Sequence, residues 1–358
     1  MRKVLISFAI IGLVVFSAHN TAKAGNPDRA GQAGAGELLI NPWARSSGWA
    51  GANSGCVRGL EGMYLNIAGT AFTKKTEILF AHTVWLKGSD VNINSFGITQ
   101  KVGKTGVLGL GVMLMNFGNI MITTVDQPEG GLGEFSPTFT NIGVSYAKAF
   151  SNSIYGGINF RIISEQISDM KGMGLAIDAG IQYVTGPTDN VKFGIALKNV
   201  GTRMKYNGDG LTFRSDAPGS SYTMAISQRS QDFELPSLIN IGFAYDINIK
   251  ENYRLTPALC FTSNSFTKDQ YSGGLEFGFS RYFMLRAGYL YEKGITKASD
   301  RTTVFTGLAA GFTLRVPLSS KEKEKSKDKG SSFFELDYSY RATNPFDGSH
   351  SIGVRINL

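Results

Sequence analysis

Histidine and cysteine are scarce in this 358-residue chain, with three and two copies. A zinc site needs three or four His, Cys or carboxylate ligands at short spacing, and no such spacing occurs. Beyond residue 25 only His82 and His350 remain, neither in a nucleophile motif. No glycine-rich phosphate loop follows a strand and opens a helix. Catalysis and a cofactor are therefore not expected. Charge is also sparse, at 18% of residues, and the basic residues are not interleaved with aromatics as in a nucleic-acid patch. After Gly25 no apolar run reaches the roughly 20 residues of a spanning helix.

Glycine and aromatic residues are plentiful instead, with 44 glycines and 11% Phe, Trp and Tyr. The mean hydropathy of −0.06 is near neutral. Interleaved polar and apolar residues give that average, as they do in a membrane β-barrel. The last eight residues show the interleaving. Ile352, Val354, Ile356 and Leu358 fall on one strand face, and Ser351, Gly353, Arg355 and Asn357 on the other. Such a strand suits a lipid-facing outside and a wet inside.

The N-terminus begins Met1-Arg2-Lys3, continues apolar from Val4 to Ala18, and reaches Ala22-Lys23-Ala24 before Gly25. This pattern predicts a secretory signal peptide over 1–24, cleaved after Ala24. An uncleaved anchor would need a longer apolar run. Cys56 and Cys260 could pair in an exported chain; two small buried side chains are the other reading. Part of the net charge of +8 is local, in Lys321, Lys323, Lys325, Lys327 and Lys329 alternating with Glu322, Glu324 and Asp328. That run reads as a solvated loop.

About fourteen strand-length segments lie between Thr76 and the C-terminus, several with clean period-two alternation. Ile158, Phe160 and Ile162 oppose Asn159 and Arg161, and Leu336, Tyr338 and Tyr340 oppose Glu335, Asp337 and Arg341. The predicted fold is all-β: an outer-membrane barrel of about 14 antiparallel strands over 76–358, with a hatch or plug over 25–75. Tight turns are expected near 103–104, 151–152, 187–188, 250–251 and 281–282. The longer turns fall around 118–137, 165–171 and 201–235, and the turn at Lys87-Gly88-Ser89 is short. Short periplasmic turns and longer outer loops are the outer-membrane pattern. The lysine-rich run has the parity of a periplasmic turn. A soluble sandwich would alternate too, but its strands are typically shorter, around 5–6 residues.

Under this register Arg161, Asp178, Asp246, Arg254, Arg286, Glu292, Arg315, Glu335, Asp337, Arg341 and Arg355 all point inward. Lone charges in a low-dielectric lumen are penalised, so both signs together imply pairing. A filled barrel with a charge network follows; a charge-lined transport path is the other reading. The hatch segment carries Trp43 and Trp49 and a Leu38-Leu39-Ile40 cluster, which disordered segments lack.

Leu38 to Ala52, reading LLINPWARSSGWAGA, resembles the opening of PorV/PorQ-family proteins, in which an apolar triplet leads through Pro-x-Ala-Arg to a glycine-rich run. Leu65 to Phe72, reading LNIAGTAF, is similar to the family's Asn-Pro-Ala-Gly segment, with Ile67 in place of the proline. Leu235-Pro236-Ser237, opening a strand after a long loop, is similar as well. The resemblance spans nearly all of the chain after Gly25, and its later part is shared with fatty-acid-transporter-like barrels. It implies a fourteen-stranded barrel with an N-terminal hatch (Trp43, Arg45, Trp49 and Asn66 among its residues) in the outer membrane of a Bacteroidota-type bacterium. It further implies a non-enzymatic component of the type IX protein secretion system. The partners expected on that basis are membrane lipid, the translocon and the C-terminal signal domains of cargo. An uptake channel for hydrophobic small molecules such as fatty acids is the alternative. Exposed aromatics with arginine tend to anchor interfaces, which marks Phe213, Arg214, Tyr222, Met224, Arg229 and Phe233 in the 201–235 loop as candidate partner contacts. Packing over the barrel mouth is their other reading, and 222–228 is expected to form an extra hairpin segment.

Overall fold

A computed structural model describes residues 25–216, 219, 222–250, 252–318 and 332–358. The expected signal peptide and the lysine-rich run lie outside the described residues.

Fourteen antiparallel strands form one closed ring. They are β1 (Thr76–Trp85), β2 (Val91–Val102), β3 (Gly106–Asn116), β4 (Thr138–Ala149), β5 (Ile154–Ile167), β6 (Met170–Thr185) and β7 (Val191–Gly201). The second half holds β8 (Leu238–Tyr245), β9 (Tyr253–Asn264), β10 (Gln270–Phe279), β11 (Phe283–Glu292), β12 (Phe305–Pro317), β13 (Phe333–Thr343) and β14 (Ser349–Asn357). Each strand pairs with its sequence neighbours. The ring closes between β1 and β14, in register from Glu77 with Asn357 to Val84 with His350. Closure satisfies every edge, as a membrane-spanning sheet requires.

The alternation seen in the sequence is the wall itself. Phe80, Phe160, Leu259, Leu275, Leu308 and Ile352 point out and stay exposed, forming the surface that meets lipid. Alternate residues point in and are buried; β6 keeps the pattern along its whole length. The chain is thus an outer-membrane β-barrel in fold.

Both Thr76 and Asn357 lie at the end with the tight turns, the periplasmic end of such barrels. The opposite rim carries the longer loops. Two short ribbons stand there: Ile120–Met121 with Glu134–Phe135, and Thr212–Asp216 with Thr223–Ser227. The second is the hairpin expected near 222–228. The turn expected at 165–171 is much shorter, because β5 runs on to Ile167 and β6 begins at Met170, with Ser168 at positive φ.

Residues 25–75 form the hatch, built of 3₁₀ turns and two single-turn helices, α1 (Ala44–Ser47) and α2 (Gly62–Leu65). It does more than plug one mouth. Its start is bound at the outer rim: Asn26 N donates to Asn264 O at 3.4 Å, Gly34 N donates to Glu234 O at 3.0 Å, and Arg29 pairs with Glu234 at 3.1 Å. From there it descends through the lumen and enters β1 at the inner rim.

Two inward glycines let it pass. A Cβ on Gly242 would sit 2.3 Å from Gly55 N, and one on Gly288 would sit 2.4 Å from Trp49 O. The wall is bare at these points because backbone packs directly on backbone.

Candidate functional site

The hatch is held by apolar clusters and by one knot of charge. Trp43 packs with Leu60, Met63, Ile67, Leu79 and Ala81, and Trp49 with Ala52, Ala244 and Ala258. Asn66 caps the 3₁₀ turn Ile67–Phe72 by accepting from Ala68 N, and donates to the wall carbonyl of Ile181 at 3.1 Å. Asn66 thus fixes its own turn and docks it on β6. Ile67 opens that turn at the position where the resemblance has proline.

The charge knot centres on Arg355 of β14. Its guanidinium pairs with Glu61 of the hatch, with Glu77 of β1 at 3.0 Å and with Glu335 of β13 at 3.4 Å. Arg45 of the hatch reaches the same carboxylates from the other side, pairing with Glu335 and with Asp337 at 3.1 Å. Glu61 also accepts from Ser46 N at 2.9 Å, and Glu77 from Leu60 N at 3.2 Å. Arg315 pairs with Glu335 as well.

Four further ion pairs line the lumen. Arg161 bonds Asp178 at 2.6 Å, Lys192 bonds Asp246, and Glu276 takes both Arg254 and Arg286, the latter at 2.8 Å. Nine of the eleven inward charges named from the sequence thus have an ion partner.

Two do not. Glu292 is held by neutral donors, Gln270 Nε2 at 3.0 Å and Thr302 Oγ1 at 2.9 Å, and has no cation among the described residues. Arg341 lies over the Phe305 ring, 3.8 Å from its centroid. Cation–π attraction takes the place of a carboxylate there.

The sequence reading missed Glu276, Lys192 and Glu77, although each occupies an inward position of its strand. Period two would have found Glu276 from Leu275 and Phe277, and Lys192 from Phe193 and Ile195. Nothing periodic marks Glu61 in the hatch.

Phe213, Arg214, Tyr222, Met224 and Arg229 of the predicted contact loop are exposed at the outer rim. Phe233 is not: it packs on the cluster of Leu38, Ala35, Met204 and Leu235, because its neighbour Glu234 is bonded to the hatch backbone. Cys56 and Cys260 are both free thiols. Burial pushes the Cys56 thiol up to about 11, so little reactive thiolate exists near neutral pH. His82 bonds Asn94 Oδ1 at 2.8 Å, and His350 meets the Tyr338 hydroxyl at 2.9 Å. Neither touches a nucleophile. No cluster of His, Cys, Asp and Glu among the described residues could hold a metal.

Between hatch and wall lies a small apolar crevice of about 50 Å³, bordered by Leu38, Pro42, Trp43, Met63, Gly111 and Met113. Glu37 stands at its edge, buried at 4% exposure. Burial, and next the Glu165 carboxylate, push its carboxyl up to about 8.

No protein-family model matches the sequence, and no curated protein matches it. Solved structures do. The toluene transporter TodX of Pseudomonas putida aligns with 88% of this chain and 97% of its own, at 11% identity and a TM-score of 0.52. The CymD monoaromatic hydrocarbon channel aligns with 89% and 97%, at 12% identity and a TM-score of 0.51. The fold is therefore shared with these two barrels.

Two outcomes follow. Arg355→Leu strips Glu61 and Glu77 of their direct ion partner, and breaking a buried pair costs on the order of 3–5 kcal/mol; urea titration of the refolded barrel should show a loss of that order. Glu37 gives a pH dependence. A seated Glu37 holds its proton up to about 8, whereas a released one gives it up near the usual 4.5. Its contribution to seating is complete below about 4.5 and lost by about 8. Exchange of the Leu38 and Ile40 amides, corrected for intrinsic rate, should accelerate between pH 5 and 9, and Glu37→Gln should flatten that rise.

Proposed function

We propose that this chain is a non-enzymatic outer-membrane conduit for small apolar molecules. The crevice between Leu38, Trp43 and Met63 of the hatch and Gly111 and Met113 of the wall carries the reading. It is an apolar seam inside a lumen where most of the inward charges are paired. The hydrocarbon-channel fold supports the same reading. A benzene-sized guest needs roughly 150 Å³, so the 36–43 turn must yield for passage. Asn41 ties the end of that turn to Ser46 and Ser47, so the yielding part is 36–40, while the Arg45–Arg355 knot holds the lower hatch. Gly111 offers a direct test. A Cβ there would stand 3.4 Å from Met63 Cε, in ordinary contact, so Gly111→Ala narrows the seam without displacing backbone. Toluene uptake by cells carrying this variant should fall several-fold while the heat-modifiable folded band persists. Unchanged uptake would count against the conduit.

A second reading is a partner barrel for the type IX secretion translocon or for its cargo. Phe213 and Tyr222, 50% and 62% exposed on the outer hairpin, favour it, together with the resemblance over 38–52 and 65–72. Affinity-tagged protein from native outer membranes should then bring translocon components or cargo signal domains with it. Recovery of the barrel alone, under conditions that keep complexes intact, would remove this reading.

A further inference from the structure

Gly25 sits in a socket at the outer rim, against the turn between β9 and β10. A Cβ on it would meet Asp269 N, Asp269 Oδ1 and Thr267 O, each at 2.8 Å. Only a glycine fits so close. A backbone nitrogen stands about 2.5 Å from its own Cβ position. The Gly25 nitrogen is therefore within roughly 5 Å of the Asp269 carboxylate, a range in which opposite charges favour one another.

The turn that forms the socket is braced without residue 25. Asn264 Nδ2 closes it by donating to Lys268 O at 2.8 Å. Lys268 Nζ ties it to the next outer loop, donating to Lys293 O at 2.8 Å and to Asp300 O at 3.0 Å. The residues after Gly25 then fasten to the same turn. Asn26 N donates to Asn264 O at 3.4 Å, and Arg29 lies over the ring of the buried Phe266, 4.3 Å from its centroid.

A glycine in mid-chain would bring this socket one N–H and no charge. A chain that starts at Gly25 brings an ammonium with three donors, since an α-amine keeps its proton up to about 7.7–8.0. The Asp269 carboxylate and the Thr267 carbonyl are acceptors of the matching kind. The sequence reaches the same residue by another route. The small-x-small pattern at Ala22-Lys23-Ala24 puts the expected cut just before Gly25. Pattern and socket are independent observations, one from an export signal and one from a loop far along the chain.

We propose that the outer rim holds a binding site for the α-ammonium of a chain that starts at Gly25, with the Asp269 carboxylate as its ion partner and Thr267 O as a second acceptor. Removal of residues 1–24 completes the seat. The hatch is then pinned at its outer end by a charge that the uncut chain does not carry at that atom. Processing thereby tightens the hatch, independently of what the barrel conducts or binds.

The test compares refolded barrels in phosphatidylcholine nanodiscs at about pH 6.5, where an α-amine is charged. One starts at Gly25; the other keeps Ala24 before it, which moves the ammonium by one residue. Each is made with Asp269 and with Asp269→Asn, and the heat-modifiable band verifies folding. Hydrogen exchange of amides 26–34, read by mass spectrometry, reports how firmly the outer end is held. The Gly25 start with Asp269 should exchange about tenfold more slowly than the other three, and Ala24 should add nothing once Asp269 is replaced. A merely structural Asp269 would instead speed exchange equally in both starts. An Nα-acetylated Gly25 start removes the charge with Asp269 intact, so it too should lose the protection. Equal exchange of the two starts with Asp269 in place, an equal effect of Asp269→Asn on both, or full protection after acetylation would each overturn the proposal.

Discussion

One guanidinium ties this molecule together. Arg355 comes from the last strand, Glu77 from the first, Glu335 from the strand before the last, and Glu61 from the hatch. Four segments from the two ends of the chain, 294 residues apart at Glu61 and Arg355, meet at one planar fork. An arginine is suited to such a place, since its five donors are fixed in geometry and it stays charged. Arg45 lets Glu335 and Asp337 serve a second cation, so the knot is a network and not a set of separate pairs. Buried networks of this kind are favourable only when their members are satisfied together. The rest of the lumen follows the same rule, in smaller units such as Arg161 with Asp178.

The wall and the hatch obey different physics. Lipid on one side and packed polar groups on the other impose strict period two on each strand. That constraint is local, so it can be read from a dozen residues. The inward faces of β5, β6 and β13 were legible for this reason, and Glu276 and Lys192 could have been read by the same rule. The hatch has no such external template. Its turns are set by a left-handed Ala35 and Gly51, by the Asn66 cap, and by where the wall is bare. Which carboxylate would meet Arg45 depended on a fold spanning nearly 300 residues, and no local pattern encodes that. Arg341 and Glu292 show the same limit from the other side. Direction was readable, but the partner was not.

The two internal spaces divide the chemistry. The seam beside Trp43 and Met63 is apolar and narrow. A wider cavity of about 480 Å³ at the inner mouth is lined by the charge knot itself, Arg45, Glu61, Glu77, Glu335 and Arg355 among its walls. Glycines in the lining, such as Gly242 and Gly288, are already spent on letting hatch backbone approach. The free wall surface lies elsewhere, near Gly111 and Met113.

The hatch begins at the outer rim, although β1 enters the wall at the inner one. Its whole length therefore lies along the axis before the first strand starts. The seam between β1 and β14 is also where Arg355 meets Glu61 and Glu77. Until those two strands pair, Glu61 and Glu77 lack their cation, and until the hatch is seated, Arg355 lacks Glu61. Ring closure and lumen filling are thus coupled equilibria that reinforce one another. An empty closed ring of this sequence would hold an uncompensated charge at its own joint, so the barrel is most stable when it closes around its leader.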